Sequence, residues 1–178
     1  MSKNILILSG SPRKDGNTDL LAEAFAQGAR SAGKDVTIFR TADMNIGGCR
    51  GCEYCFSHNS TCIQNDDMGK IIEAIRKSDA LVIASPVYYF FLTGQIKLAI
   101  DRFYAMYQEG MPIKRYALLM TCGDKEYVAK PSIDMLNMAG GLLKWEHAGT
   151  IIAPGLHDAG EIKGRKELDE AKLLGEKI

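Results

Sequence analysis

The sequence shows no excess of charge of either sign. Its 22 lysine and arginine residues balance 22 aspartate and glutamate residues, so the formal net charge is zero. Proteins that bind nucleic acids usually carry a basic excess or a basic stripe. We therefore predict no nucleic-acid partner.

Long apolar runs are also missing. No stretch approaches the roughly 18–20 consecutive apolar residues that a membrane-spanning helix needs, and we predict no membrane association. The apolar run at Ile5–Leu8 is too short for a secretory signal, and no small-residue cleavage site follows it. These absences predict a cytoplasmic protein.

Two common nucleotide-binding motifs are absent from the loop after this first apolar run. A dinucleotide fingerprint needs G-x-G-x-x-G, whereas Gly10 is followed by Ser-Pro-Arg. A Walker A loop needs Gly-Lys-Ser/Thr, whereas Gly16 is followed by Asn-Thr. Without a P-loop lysine, the loop suits a terminal monophosphate better than a triphosphate.

Five short apolar segments alternate with amphipathic helical patterns. Uninterrupted apolar strands are typical of a parallel sheet that is covered on both faces. The predicted strands are residues 4–8, 35–39, 80–84, 116–120 and 147–153, and the helical patterns cover residues 19–33, 66–78, 93–103 and 165–177. Strand–helix alternation predicts a doubly wound α/β sheet in one domain spanning residues 1–178.

The segment after the first strand is rich in groups that bind anions. Its donors are the side chains of Ser9, Ser11, Arg13, Asn17 and Thr18. It leads into a helix N-terminus, whose free N–H groups and dipole favour an anion. It also lies at the carboxyl edge, where doubly wound sheets bind ligands. We predict an anion site; the alternative is that Asn17 or Thr18 only caps the helix.

A run of four aromatic residues, Tyr88–Phe91, follows the third strand and Pro86. The topology places this run at the same edge of the sheet as the anion site. Ordinary core packing or an oligomer interface is the competing interpretation, above all for Phe90 and Phe91.

Four of the five cysteines, Cys49, Cys52, Cys55 and Cys62, lie within fourteen positions. They occupy an irregular stretch at about 43–65, and a loop of that length in a compact domain is usually functional. Disulfides explain them poorly in a reducing cytosol. The spacing C-x2-C-x2-C-x6-C leaves three hypotheses: a 4Fe-4S cluster, a zinc ion, or free thiols that include an oxidation-dependent pair. Because the loop leaves the carboxyl end of the second strand, we expect the thiols at the same edge as the anion site.

Three segments carry a family resemblance. GSPRKDGNT, DDM and SPVYYFFLTGQIKLAIDRF resemble, in this order, the NADPH-dependent FMN reductase and iron–sulfur flavoprotein group of flavodoxin-like proteins. The resemblance extends from Ile5 to the final helix. It implies a flavodoxin-like, five-stranded parallel sheet in the order 2-1-3-4-5, with helices on both faces, and a bound FMN.

The resemblance also implies which residues contact FMN. The first loop binds the phosphate in that group, the turn after strand three lies along the isoalloxazine ring, and the loop after strand four meets the ring's other edge. The matching residues are Ser11, Arg13, Asn17 and Thr18; Pro86, Val87, Tyr88 and Tyr89; and Thr121, Cys122 and Gly123. The cysteine spacing is similar to that of the iron–sulfur flavoproteins, which implies a possible 4Fe-4S cluster on Cys49, Cys52, Cys55 and Cys62.

The function implied by the resemblance is an FMN-dependent NAD(P)H oxidoreductase that reduces a flavin, a quinone or another small acceptor. The alternative is a flavin electron carrier, with or without an iron–sulfur cluster, that serves protein partners. Small carriers are often strongly acidic, and the zero net charge counts against that role. The flavin carries the chemistry, so we predict no catalytic side chain, and we expect His58, His147 and His157 at the surface or in the core. A homodimer or homotetramer is also implied.

Overall fold

The computed structural model describes residues 3–178, and Met1 and Ser2 of the predicted domain lie outside the described residues. Five strands form one sheet in the order β2-β1-β3-β4-β5, and every neighbouring pair is parallel. The strands are β1 (Asn4–Ser9), β2 (Asp35–Arg40), β3 (Ala80–Pro86), β4 (Arg115–Thr121) and β5 (Glu146–Ala153). The predicted fold class and strand order are confirmed.

Helices cover both faces of the sheet. They are α1 (Asn17–Ser31), α2 (Tyr54–Ser57), α3 (Met68–Arg76), α4 (Gly94–Arg102), α5 (Lys130–Leu142) and α6 (Lys166–Lys177). Alternate residues of a strand point to opposite faces. Accordingly, Ile5 and Ile7 pack in the core beneath α1 and α6, whereas Leu6 and Leu8 pack in the core beneath α3, α4 and α5. This double burial explains why the strands read as continuous apolar runs.

The two helices on one face, α1 and α6, cross at backbone distance. A Cβ atom built on Gly28 would lie 1.9 Å from the Lys172 carbonyl oxygen, and one built on Gly175 would lie 2.1 Å from the Phe25 oxygen. Only glycine fits at these two positions. The crossing fixes α1, whose N-terminus opens at the carboxyl edge of the sheet.

Helix α5 lies between β4 and β5, where the periodicity predicted no helix. Its sequence starts with Lys-Pro and ends with two adjacent glycines, and glycine costs about 1 kcal/mol in a helix relative to alanine. Packing of Leu136 and Ile133 against the core overrides this weak propensity. None of the helices in residues 3–178 is long and apolar enough to cross a membrane.

Candidate active site

A cleft of about 180 Å³ opens at the carboxyl edge of the sheet. Its walls come from the loops after β1, β3, β4 and β5. The lining residues are Ser11, Arg13, Gly16, Asn17, Thr18, Pro86, Val87, Tyr88, Thr121, Cys122, Gly123, Leu156, His157 and Ala159.

The N-terminus of α1 forms one wall of the cleft. Gly16 is the N-cap, and among the described residues no side chain caps this helix, so the alternative that Asn17 or Thr18 serves only as a cap is wrong. The first N–H groups of a helix have no partner within the helix. Those of Asn17 and Thr18 are therefore available to an anion, with the helix dipole behind them.

Asn17 and Arg13 also hold the loop after β5. The Asn17 side chain donates to the Asp158 carbonyl at 2.8 Å and accepts from the Gly160 and Ile162 N–H groups at 2.9 and 3.2 Å. Arg13 Nη1 donates to the His157 carbonyl at 2.8 Å. The loops after β1 and β5 thus form one connected rim.

An acidic residue in the first turn of α1 is paired with a neighbouring arginine. Asp19 lies in the first turn of α1 and accepts a hydrogen bond from the Ser9 hydroxyl at 2.8 Å. Arg40 Nε lies 3.0 Å from the other Asp19 oxygen. Ser9 is therefore buried against Asp19, outside the cleft lining, and Arg40 offsets the charge that would repel an anion.

The segment after β3 forms the second wall. Tyr88 and Phe91 exchange two backbone hydrogen bonds, at 2.9 and 3.0 Å, around a two-residue turn. The turn residues, Tyr89 and Phe90, both have positive φ, at 50° and 66°. Such values are uncommon for bulky residues and cost energy. Tyr89 is 98% exposed and does not line the cleft, so the turn presents its ring to solvent beside the mouth.

The loops after β4 and β5 form the third wall. Thr121 and Thr18 meet across it, with their hydroxyl oxygens 2.7 Å apart. Burial raises the pKa of the Cys122 thiol, and the nearby Asp124 and Glu126 carboxylates raise it further. Cys122 is therefore a neutral thiol near neutral pH. The His157 ring packs on Gly123, where an added Cβ would lie 3.0 Å from it.

Ten of the twelve residues predicted for the flavin site line this one cleft, and Ser9 and Tyr89 do not. The sequence interpretation missed Gly16, Leu156, His157 and Ala159. His157 is exposed, as expected, and it also lines the cleft. The last three of these residues could have been predicted from their position after the fifth strand, because all strands of a parallel sheet end at the same edge, where ligands bind.

The four clustered cysteines line a second, smaller pocket of about 20 Å³. Arg102, Tyr104 and Ala105 also line it. Burial raises the pKa of Cys55, and a backbone hydrogen bond offsets only part of this rise. Within residues 3–178, no three His, Cys, Asp or Glu side chains are arranged to hold a metal ion.

The cysteine pocket and the cleft are separate in the described part of the chain, since their linings share no residue. Helix α4 connects them. Thr93, before its first turn, donates to the Gly10 carbonyl at 2.7 Å, and Arg102 at its end faces the cysteines. Nine residues of helix span about 13 Å. The thiols therefore lie beside α4, one helix length from the loop after β1.

An ion pair holds both ends of the cysteine loop at α4. Arg102 donates to the two Asp66 oxygens at 2.7 and 3.1 Å and to the Gly47 carbonyl at 2.8 Å, and the Gly47 N–H donates to Asp66 at 2.9 Å. Burial raises the pKa of Asp66, but the hydrogen bonds from Arg102 and Gly47 outweigh it, and the net direction is down. Gly47 precedes the first cysteine and Asp66 follows the last, so one residue of α4 fixes the whole loop.

The sequence model of the NADPH-dependent FMN reductase family matches residues 3–151. The chain belongs to this family. The match contains the loop after β1, the aromatic turn, the cysteine loop and the Asp66–Arg102 pair, but it ends before the loop that carries His157.

Among curated relatives in and around the FMN reductase family, an iron–sulfur flavoprotein from Archaeoglobus fulgidus is 38% identical over 93 residues, which cover 52% of this chain and 42% of that protein. The chain thus spans about half the length of such relatives. A putative NAD(P)H-dependent FMN-containing oxidoreductase, YwqN from Bacillus subtilis, is 24% identical over 96% of this chain and 95% of that protein. The solved NAD(P)H:quinone oxidoreductase from Methanothermobacter marburgensis superposes with a TM-score of 0.79 at 19% identity, covering 99% of this chain and 96% of that one.

Proposed function

We propose that this protein binds FMN in the carboxyl-edge cleft and uses it to transfer electrons from NAD(P)H to a small acceptor, such as a flavin or a quinone. The observation that carries the proposal is the uncapped N-terminus of α1, which opens into the same cleft as the Pro86–Tyr88 wall. One end of the cleft suits an anion, and the other suits a flat ring.

The phosphate end is assigned to the loop after β1. The N–H groups of Asn17 and Thr18, the Ser11 hydroxyl and the Arg13 guanidinium supply donors, and the helix dipole adds a favourable field. The Asn17 side chain is held by the loop after β5, through one of its N–H groups and through its carbonyl oxygen. Its part in phosphate binding is therefore through its backbone N–H and through holding the rim.

The ring end is assigned to Pro86, Val87 and Tyr88 on one side and to Thr121, Cys122 and Gly123 on the other. A cleft of about 180 Å³ encloses only part of a molecule as large as FMN, since closed ligand pockets span about 300–1,000 Å³. The rest of a bound FMN would extend to the mouth, beside the partly exposed Tyr88.

When bound, FMN accepts hydride from a nicotinamide and passes electrons onward, so the protein needs only to orient the reactants and set the electrostatics. The neutral Cys122 thiol adds no charge beside the ring. A protein-serving carrier needs no nicotinamide access, whereas an open cleft mouth permits a small donor and a small acceptor to approach in turn.

We also propose a homo-oligomeric assembly and a cytoplasmic location. The exposed aromatic turn at Tyr89 and Phe90, next to the cleft mouth, favours a homodimer or homotetramer in which a second copy covers it. A cytoplasmic location is the setting in which NAD(P)H is available to such an enzyme.

The decisive experiment is anaerobic rapid mixing of FMN-loaded protein with NADPH or NADH. We expect the oxidised flavin absorption to bleach in a phase whose rate rises with donor concentration, because the cleft mouth admits the nicotinamide. Free FMN at the same concentration is the control and should react far more slowly. If neither donor bleaches the flavin while a reduced electron-transfer protein does, the carrier function replaces this proposal.

A second candidate function is a thiolate-bound metal group in the cysteine pocket, favoured by the four cysteine residues that line this one pocket. Four thiolates suit zinc or an iron–sulfur cluster. A space of about 20 Å³ holds one water-sized group, and no three metal-ligating side chains among residues 3–178 are arranged around an ion, so either metal group requires the cysteine loop to rearrange. The 4Fe-4S assignment therefore stays a prediction.

Metal analysis of anaerobically purified protein tests this second function. If a 4Fe-4S cluster is bound, we expect about four irons per chain, with matching sulfide. Cys52→Ala should remove the iron and leave FMN bound, whereas Cys122→Ala, outside the pocket, should keep the iron. About one zinc per chain would favour the zinc site, and metal-free wild-type protein with four reactive thiols would favour the free-thiol hypothesis.

A further inference from the structure

His157 is the one histidine of the described chain that lines the carboxyl-edge cleft. It lies in the loop after β5, beyond the region that the family model matches. Its side chain is exposed to solvent, so core packing does not explain it. Any role of this residue must follow from where its backbone and its ring are held.

The backbone of His157 is fixed on both sides. Its carbonyl accepts a hydrogen bond from Arg13 Nη1 at 2.8 Å, and its N–H donates to the Glu161 carboxylate at 2.6 Å. The Asp158 N–H donates to the same Glu161 oxygen at 3.0 Å. The hydrogen bonds from Asp158 and His157 lower the pKa of Glu161, so this anchor stays ionised near neutral pH. The imidazole is therefore carried on a loop that is tied to the phosphate end of the cleft.

The imidazole ring lies at the cleft, but the protein does not use its nitrogens. The ring meets Gly123 through its Nδ1–Cε1 edge, since a Cβ added to Gly123 would lie 3.0 Å from both atoms. Within residues 3–178 the only hydrogen bonds of His157 are the two of its backbone, whereas the rings of His58 and His147 are both bonded. An imidazole offers one N–H donor when neutral and two when protonated, so a donor is free in either form.

The surroundings of this free donor favour an anion. Arg13 and His157 are the two residues of the described cleft lining that can carry positive charge, and no Asp or Glu of residues 3–178 lines the cleft. The start of α1 adds its free N–H groups and its dipole. A phosphate monoester carries a charge of about −1.5 to −2 near neutral pH and has three acceptor oxygens, so it can accept from a second side chain besides Arg13.

We propose that His157 is a further FMN-binding residue, whose imidazole donates a hydrogen bond to the phosphate and thereby helps the site to select FMN over unphosphorylated riboflavin. This inference rests on the proposed FMN site. The competing interpretation is that His157 only holds the rim of the cleft through its backbone and packs on Gly123.

The test measures FMN and riboflavin binding to His157 variants by the change in flavin fluorescence. His157→Leu removes the donor and keeps an apolar side chain against Gly123, whereas His157→Gln keeps an N–H donor. We expect His157→Leu to bind FMN roughly tenfold to hundredfold more weakly than wild type, the effect of losing one hydrogen bond to a charged group, with riboflavin affinity unchanged. His157→Gln should recover most of the FMN affinity. Both variants keep the backbone bonds to Arg13 and Glu161, so a role limited to the rim predicts wild-type affinity in each.

A second readout uses the wild-type chain. The NMR resonances of the His157 ring nitrogens, assigned by their loss in His157→Gln, should shift when FMN saturates the protein and should stay in place with saturating riboflavin. Unchanged FMN affinity in His157→Leu, equal losses for the two flavins, or equal shifts with both would overturn the phosphate contact while leaving the FMN site intact. Wild-type protein that binds neither flavin overturns the FMN site and this inference together.

Discussion

Replacing Gly28 with alanine should destabilise the protein by about 3 kcal/mol, the upper end of the cost of overpacking. The new Cβ would lie 1.9 Å from the Lys172 carbonyl oxygen, and a backbone atom in a helix cannot rotate away as a side chain can. Helices α1 and α6 must separate, which loosens the core beneath them. Urea unfolding should show a lower midpoint with little change in slope.

The matched control for this prediction is Gly141→Ala. Gly141 is also helical, but an added Cβ there would meet no described atom within 4 Å, so the substitution should be neutral or should stabilise by about 0.5–1 kcal/mol. Equal unfolding midpoints for the Gly28 and Gly141 variants would show that the two helices do not cross at backbone distance.

Replacing Gly10 with alanine should weaken FMN binding roughly hundredfold, the expected effect of losing one or two hydrogen bonds to a charged group. A Cβ at Gly10 would lie 2.7 Å from Thr93 Oγ1 and 2.8 Å from Ile96 Cβ. The loop after β1 must move away from α4, and the donors at the start of α1 then lose their alignment. The measurement is the FMN dissociation constant from flavin fluorescence.

Gly94→Ala is the control for the Gly10 variant. Gly94 lies at the start of α4, the helix that an added Cβ at Gly10 would contact. No described atom would lie within 4 Å of a Cβ at Gly94, so FMN affinity should be unchanged. Unfolding of the apoprotein, measured separately, distinguishes loss of the site from loss of the fold. A folded Gly10 variant with wild-type FMN affinity would contradict the placement of the phosphate in this loop.

The sheet could be predicted from sequence because its signal is local. Segments such as Ile5–Leu8 and Ala80–Ala84 are apolar at every position, and that pattern arises only when both faces of a strand are buried. Helix α5 was missed for the converse reason. Its adjacent glycines and Lys-Pro start weaken the local signal, and contacts from distant parts of the chain stabilise it.

The candidate site was predictable where one loop carries several donors and not where distant loops meet. Ser11, Arg13 and Thr18 share a segment, so their grouping is visible in sequence. His157 reaches the cleft only because β5 ends at the same edge as β1, and the Asn17 bridge to residues 158–162 depends on side-chain orientation. Arg102 and Asp66 are separated by 36 residues, and each by itself reads as a surface charge.

The glycine crossing of α1 and α6 couples α6 to the helix whose N-terminus lines the cleft. Helix α6 lies beyond the region that the family model matches, yet its backbone rests directly on the helix whose first turn opens into the cleft. We therefore expect the two helices to open together in local unfolding. A ligand that binds the start of α1 should then also slow the local unfolding of α6, which it does not contact.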